Sequence, residues 1–177
     1  MNFNRMEIYT DGGCIGNPGP GGYAVVMIKH GKIVHEHSQS YKHTTNNRME
    51  YRACLYALQQ IKAQNLKDAT LHTDSKYVME SVTNWGHKWK QLGWARNKSG
   101  SEKIQNVDLF KACYLLNEEL NVRWQWVKGH AGNLGNERAD ELANEAAQSP
   151  SGTVLNDDLV GDTENGVKSA EAQISLF

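Results

Sequence analysis

The stretch Met6–Cys14 (MEIYTDGGC) stands directly before the glycine- and proline-rich run 15–22 (IGNPGPGG). The β-branched and aromatic residues of the first stretch predict a short strand, and the Gly and Pro residues after it predict a loop. Asp11 is therefore expected where a strand ends, beside glycines that let another part of the backbone come close. A carboxylate in this setting suits a metal ion, although Asp-Gly is also a favoured pair in hairpin turns.

The rest of the chain predicts further strands and helices in a definite order. The expected strands are 23–28, 32–41, 69–73 and 122–127, and the expected helices are 46–63, 75–84, 107–120 and 134–148. The later strands are separated by helices, and such crossovers make strands parallel. We therefore predict an α/β fold with a single five-stranded mixed sheet, three strands antiparallel plus two parallel, flanked by helices.

The length of 177 residues fits one domain that buries roughly two-thirds of the surface of its unfolded chain. We expect residues 1–148 to form the folded domain and residues 149–177 to form a flexible acidic tail. The tail carries five acidic residues and one basic residue, whereas the body has a net charge of +3. A mildly basic body with an acidic tail is typical of a protein that binds nucleic acid.

The cellular setting follows from what the sequence lacks. The longest apolar run, 23–28, is far shorter than the roughly 20 residues that span a bilayer, and no secretory signal precedes it. We therefore expect a cytoplasmic protein without a membrane anchor. Cys14, Cys54 and Cys113 are an odd number without metal-ligand spacing, which predicts reduced thiols.

Four acidic residues are candidates for one functional cluster. They are Asp11 at the end of the first strand, Glu50 and Asp140 in helices, and Asp74 at the end of the fourth strand. The functional crevice of an open α/β sheet lies at the carboxyl ends of its strands. Each acid also has a structural alternative, since Glu50 could form a capping box with Asn47 and Asp74 could cap the next helix.

Clustered carboxylates repel one another, and divalent cations remove that repulsion. Oxygen ligands without thiolates suit Mg²⁺, with Mn²⁺ as the alternative ion. Two such ions roughly 3.5–4 Å apart are the arrangement used for phosphodiester hydrolysis. The four acids therefore predict a two-metal nuclease or a related phosphoryl transferase.

Five motifs in one order extend this interpretation. They are YTDGGC (9–14) with NPGPG (17–21), TTNNRME (44–50), TDS (73–75), WVKGHAG (126–132) and NERAD (136–140). Together they closely resemble type 1 bacterial ribonuclease H over about residues 5–148. The resemblance implies a monomeric endonuclease that cuts the RNA strand of an RNA–DNA hybrid and leaves 3′-hydroxyl and 5′-phosphate ends.

The resemblance also implies roles for individual residues. The metal-binding catalytic carboxylates would be Asp11, Glu50, Asp74 and Asp140, and His130 would act in proton transfer or product departure. The RNA strand would contact Gly12, Cys14, Asn46 and Asn47, and a DNA phosphate would lie near Asn17 and Thr45. At the position of Lys76 the family commonly has Gln. A Lys there could still reach a phosphate, so the contact of this residue with the substrate stays open.

The segment 85–98 (WGHKWKQLGWARNK) interleaves aromatic and basic residues. Such a surface suits a nucleic-acid strand, and the family has a DNA-gripping protrusion at this place. The candidate contacts are Trp85, Lys90, Arg96 and Lys98, while Trp89 and Trp94 are expected in the core. Members of the family that bind DNA strongly tend to have basic residues at the positions of Gln91, Leu92 and Ala95. The protrusion of this chain is therefore predicted to bind DNA more weakly.

The polar stretch 151–173 has no periodicity and predicts a disordered tail. The chain then ends with three apolar residues among Gln173, Ile174, Ser175, Leu176 and Phe177. This end resembles the Gln-x-x-Leu-Phe peptides that dock on the bacterial sliding clamp. Alternatives are a chance apolar end, packing onto the body, or another replication protein such as a single-strand binding protein.

Two other functions compete with the ribonuclease H interpretation. A different nuclease or DNA-strand transferase of the same superfamily shares acids at strand ends, but those proteins lack the Asn46-Asn47 pair and the basic protrusion. A non-catalytic hybrid-binding module would usually have lost one of the acids. All four acids are present in this chain.

Overall fold

The computed structural model describes residues 5–129 and 132–157, which form a mixed six-stranded sheet with helices on both faces. The strands are β1 (Met6–Cys14), β2 (Gly19–Lys29), β3 (Lys32–Thr44), β4 (Ala69–Thr73), β5 (Val122–Trp126) and β6 (Val154–Leu155). Their order across the sheet is β5-β4-β1-β2-β3-β6. β1, β2 and β3 are antiparallel, and β4 and β5 run parallel to β1, which confirms the predicted mixed sheet. β6, paired with β3, is a sixth strand beyond the five predicted.

The helices account for most of the remaining described chain. They are α1 (Asn46–Ala63), α4 (Val107–Glu119), α5 (Leu134–Gln148) and a continuous helix made of α2 (Lys76–Glu80), a π-helical turn (Ser81–Trp85) and α3 (Gly86–Gln91). The predicted end of that continuous helix near Asn84 is wrong. Gly86 does not end it, because Gly86 is buried inside the helix and a Cβ there would lie 2.5 Å from the Tyr114 ring. The glycine lets α4 pack closely.

The main core lies between the sheet and α1, with α4 behind α1. The predicted apolar stripe of α1 is confirmed, since Met49, Ala53, Ala57 and Ile61 are each at most 1% exposed. On the other face of the sheet, α5 packs its Ala139 against Tyr9 and Val26. These two packed faces fix the positions of α1 and α5 relative to β1.

The glycine-rich run is a loop only over residues 15–18. The prediction of a loop through Gly22 is wrong, because Gly19–Gly22 belong to β2, where Gly21 and Gly22 pair with both β1 and β3. The packing of α5 on β2 leaves no room for a side chain at this point, because a Cβ on Gly22 would lie 2.5 Å from the Ala146 Cβ of α5. Glycine in this strand therefore permits close helix packing.

The prediction that residues 151–173 are disordered is also wrong for residues 151–157. β6 pairs in parallel with β3 through Ser40 and Val154, and the Gln39 amide donates to the Thr153 carbonyl at 2.7 Å. Asp157 is 8% exposed and forms ion pairs with arginines of α1. Composition does not reveal such specific partners. The C-terminal peptide 173–177 lies outside the described residues.

No helix in the described ranges is long and apolar enough to cross a membrane. The three cysteines are free thiols, with Cys54 and Cys113 buried in α1 and α4.

α1 meets β1 by direct contact between backbones at Gly12. A Cβ on Gly12 would lie 2.4 Å from the Met49 carbonyl carbon and 2.6 Å from the Glu50 nitrogen. A Cβ on Gly13 would have its nearest neighbour, the Asn46 Oδ1, at 3.8 Å, an ordinary contact. Only the first of these two adjacent glycines is required by the packing.

Gly12→Ala should therefore lower the free energy of unfolding by at least about 2 kcal/mol, because the backbone of α1 has to move away from β1. Urea denaturation followed by circular dichroism measures this change. Gly13→Ala is the matched control and should stay within about 0.5 kcal/mol of the parent. Equal losses in the two variants would contradict the close contact at Gly12.

Candidate active site

The pairing of β1 with β4 places Asp11 next to Asp74. The two strands are parallel with Thr10 opposite Thr73, so the residues that follow these two are Asp11 and Asp74. β4 ends at Thr73, whereas β1 continues to Cys14 alongside β2. Asp11 thus lies inside its strand, where its parallel neighbour ends, and both the predicted strand end and the alternative hairpin turn at Asp11 are wrong.

Glu50 reaches the same place from α1. The N-cap of α1 is Thr45, whose hydroxyl accepts from the Arg48 N–H at 3.3 Å, so the alternative capping box between Asn47 and Glu50 is not formed. The helix after Asp74 is likewise capped by Ser75, whose hydroxyl accepts from Val78 N–H. Neither acid is used as a helix cap.

Asp11, Glu50 and Asp74 form a compact carboxylate group. One oxygen from each lies within 4.8 Å of the others. Asp11 is 7% and Glu50 8% exposed, and Asp74 is half-buried. The Gly12 N–H donates to Asp11 Oδ1 at 2.9 Å. Within residues 5–129 and 132–157, no N–H or O–H donor reaches the buried Glu50 Oε2.

The electrostatics of this group are unfavourable without a cation. Burial raises the pKa of Asp11 to about 8, and the Asp74 charge and the Asp140 carboxyl of α5 add to the shift. Burial, followed by the charges of Asp11 and Asp74, raises the pKa of Glu50 well above its usual range. Buried oxygens without donors and with raised pKa values fit a divalent cation that takes oxygen ligands. The residues present therefore suit Mg²⁺ or Mn²⁺.

Asp140 approaches from the opposite layer of helices. It is half-buried in α5, and its carboxyl group contributes to the raised pKa of Asp11. The structure thus brings Asp140 to Asp11, outside the compact group of three. His130 lies outside the described residues, but Gly129 just before it packs beside Asp74, with a Cβ position 3.3 Å from Asp74 Oδ2.

Several of the predicted substrate-binding residues form one connected surface. The Cys14 N–H donates to Asn46 Oδ1 at 2.9 Å, and the Asn46 N–H donates to Asn17 Oδ1 at 3.0 Å. Thr45 and the exposed Asn47 flank Asn46 at the start of α1. These bonds join the loop after β1 to the beginning of the helix that carries Glu50.

Trp126 supports the site in a way that the sequence analysis did not identify. Its indole N–H donates to the Asp74 carbonyl at 3.1 Å, and the Lys76 ammonium lies 4.3 Å from the centre of its ring. Trp126 thereby links β5 to the turn that carries Asp74. No local signal in the sequence indicated these two partners.

The predicted protrusion spans α3 and the loop after it. Trp85 is 38% exposed, and Arg96 and Lys98 are exposed in the loop. Lys90 forms an ion pair with Glu118 at 2.9 Å. Trp89 and Trp94 pack on Phe110, as expected of core residues.

Comparisons with known proteins agree with this geometry. The family model for RNase H matches residues 3–148. Ribonuclease H from Citrobacter koseri is 46% identical over 151 residues, which are 84% of this chain and 92% of that protein, and Ribonuclease H from Salmonella arizonae matches equally well.

Solved structures share the fold. The crystal structure of LC9-RNase H1, a type 1 RNase H with the type 2 active-site motif, has a TM-score of 0.71 at 33% identity and covers 90% of this chain and 80% of that one. LC11-RNase H1 in complex with RNA/DNA hybrid has a TM-score of 0.59 at 28% identity, with coverage of 80% and 96%.

The raised pKa of Asp11 predicts how metal-free stability depends on pH. Between about pH 4 and pH 8 Asp11 is protonated when folded and ionised when unfolded, so stability falls as pH rises. Asp11→Asn removes this loss and should stabilise the metal-free protein at pH 8 by on the order of 5 kcal/mol, since the pKa rises from 3.8 to about 8 and one pKa unit is worth about 1.4 kcal/mol. The gain should vanish near pH 4.

Thermal unfolding in chelator across this pH range measures the effect. Glu145→Gln, which neutralises an exposed acid of α5, is the control and should leave the slope of stability against pH unchanged. A pH-independent effect of Asp11→Asn would count against the buried, protonated Asp11.

Proposed function

The chain belongs to the ribonuclease H family, and we infer from this membership that it is an endoribonuclease that hydrolyses the RNA strand of RNA–DNA hybrids. The products carry 3′-hydroxyl and 5′-phosphate ends. The observation that carries this function is the compact group of Asp11, Glu50 and Asp74, with one oxygen of each within 4.8 Å of the others. One similar structure, LC11-RNase H1, is a complex with RNA/DNA hybrid.

We propose that Asp11, Glu50, Asp74 and Asp140 hold two Mg²⁺ ions, with Mn²⁺ as the alternative. Bound ions of this kind supply an activated water and stabilise the leaving oxyanion. The contribution of the chain is placement: the β1–β4 register sets Asp11 beside Asp74, and the Gly12 N–H orients the Asp11 carboxylate. His130 is proposed to move a proton or assist product departure.

The proposed hybrid interface starts at the residues bonded around Asn46. Gly12, Cys14, Asn46 and Asn47 are assigned to the RNA strand, and Asn17 and Thr45 to a DNA phosphate. Small and amide-bearing side chains suit close contacts in a minor groove, where the 2′-hydroxyl distinguishes RNA from DNA. The hydrogen bonds that join Cys14, Asn17 and Asn46 support one continuous surface.

The protrusion is proposed to contact the DNA strand through Trp85, Lys90, Arg96 and Lys98. Arg96 and Lys98 are exposed and suit phosphates, whereas Lys90 would have to exchange Glu118 for a phosphate. Lys76, held over Trp126 beside the acids, is a further candidate for a phosphate contact.

The remaining assignments concern the whole protein. We propose a cytoplasmic monomer whose catalytic domain comprises residues 1–148 together with the packed segment 149–157, followed by the rest of the predicted tail. The C-terminal residues Gln173, Ile174, Leu176 and Phe177 are proposed to dock on the sliding clamp or another replication protein, which would tether the enzyme beside DNA.

The acids should be indispensable for cleavage. Asp11→Asn, Glu50→Gln and Asp74→Asn each remove a metal ligand at constant shape and should lower the cleavage rate of a labelled RNA–DNA hybrid in Mg²⁺ by several orders of magnitude. His130→Ala should cost roughly 10²–10⁴-fold, or less where water substitutes. The exposed-acid control Glu145→Gln should cleave normally. Near-normal turnover by any of the three acid variants would overturn the site.

The same assay separates the rival functions. Chelation of Mg²⁺ should stop cleavage of the hybrid, and duplex DNA should remain intact. Cutting of duplex DNA would indicate a strand transferase or a different nuclease, and hybrid binding without cutting would indicate a binding module.

Deletion of residues 173–177 tests the proposed partner. The deletion should abolish binding to the purified clamp in calorimetry and leave cleavage of short free hybrids unchanged, because the peptide lies outside the catalytic domain. If the full chain does not bind the clamp, or if the shortened chain binds equally well, the clamp is not the partner.

A further inference from the structure

Asp157 closes a buried network of charges at the beginning of α1. Its side chain has no exposure to solvent, although it follows the last helix by several residues. Its two oxygens accept four hydrogen bonds: from Thr44 Oγ1 at 2.6 Å, from Arg48 Nε at 2.9 Å and Nη2 at 3.0 Å, and from Arg52 Nη2 at 2.7 Å. A carboxylate with four donors is fully used in binding its neighbours.

The charges of this network are balanced. Arg48 is 3% exposed and also binds both oxygens of Asp108 in α4, at 2.8 and 3.0 Å, so two arginines face two carboxylates. Burial alone would raise the pKa of Asp157, but the hydrogen bonds and charges of Arg48 and Arg52 outweigh it and lower that pKa. Arginine stays charged at any relevant pH, so removal of Asp157 leaves an uncompensated buried charge.

The donors to Asp157 stand on either side of a functional segment. Thr44 is the last residue of β3 and Arg48 lies in the first turn of α1, so the segment between them is Thr45, Asn46 and Asn47. Asp157 therefore binds the residues directly before and after the proposed contacts with the hybrid. On its other side, the segment is hydrogen-bonded through Asn46 to Cys14 and Asn17.

We propose that Asp157 is a positioning residue for hybrid binding, which holds the segment Thr45–Asn47 in its binding geometry through Thr44 and Arg48. This inference rests on the proposed function, because it requires that these three residues contact the hybrid. The C-terminal segment 149–157 is then part of the substrate site. The acids are placed separately, by strand pairing and by the contact at Gly12, so loss of Asp157 should weaken substrate binding more than turnover.

Two variants test the role of Asp157. Asp157→Asn removes the charge at nearly constant size, and Thr44→Val removes one hydrogen bond to Asp157 without changing any charge. Asp108→Asn is the matched control, because it takes the other carboxylate from Arg48 and leaves Thr44 bound to Asp157. KM and kcat are measured on a short RNA–DNA hybrid in Mg²⁺, well below the melting temperature of every variant.

We expect Asp157→Asn to raise KM about tenfold and Thr44→Val to raise it about threefold. The kcat of both variants should stay within about twofold of the parent. A misplacement of the reacting groups by 1 Å can lower the rate roughly 100-fold, so a kcat this close to the parent value means that the acids have not moved. Asp108→Asn should lower the melting temperature and leave KM within about twofold. This split between KM and melting temperature separates positioning from a purely structural role.

Equal KM increases in Asp157→Asn and Asp108→Asn, or an unchanged KM in Thr44→Val, would overturn the inference. If Asp157→Asn does not fold, the pair Thr44→Val and Asp108→Asn decides the question alone. Asn47→Ala tests the premise that the segment Thr45–Asn47 contacts the hybrid. If the parent does not cleave the hybrid, the proposed function fails. If Asn47→Ala leaves KM unchanged, the proposed contacts fail, and neither result is a failure of the role of Asp157.

Discussion

The contact between β1 and α1 at Gly12 is the constraint on which the site depends. The two backbones meet where a Cβ would lie 2.4 Å from the Met49 carbonyl carbon, so any side chain at this position forces them apart. The same contact brings Glu50, the residue after Met49, against Asp11, the residue before Gly12. The packing of a helix on a strand and the assembly of a carboxylate group are therefore one structural event.

The core holds this arrangement against the repulsion of its charges. Carboxylates that are buried and close together favour their protonated forms, as the raised pKa values of Asp11 and Glu50 indicate. Strand pairing and the apolar stripe of α1 act regardless of the charge on the acids, so they keep the group assembled. A site prepared in this way needs little rearrangement when cations and substrate arrive.

Two side-chain contacts extend this support beyond the core. The Trp126 indole of β5 donates to the Asp74 carbonyl, and the Lys76 ammonium lies over the Trp126 ring. These contacts connect the turn that holds Asp74 to the sheet. Arg48 joins α1 to α4 through Asp108 and to the C-terminal segment through Asp157. The proposed hybrid surface at the start of α1 thus has buried charged partners beneath it.

The sequence by itself determined the order and type of the elements from β1 to α5, and it indicated the three acids that the fold brings together, Asp11, Glu50 and Asp74. Periodicity and strand composition are local, and α1 and β4 occupy the predicted residues because local preference and burial agree there. Tertiary structure alone decided that Gly19–Gly22 form a strand, that the helix through Gly86 continues, and that Asp157 is buried. In each case the deciding partner, Ala146, Tyr114 or Arg48, lies far away in the sequence. A glycine or an acid has the same local signal whether or not such a partner exists, so only the folded chain distinguishes the two outcomes.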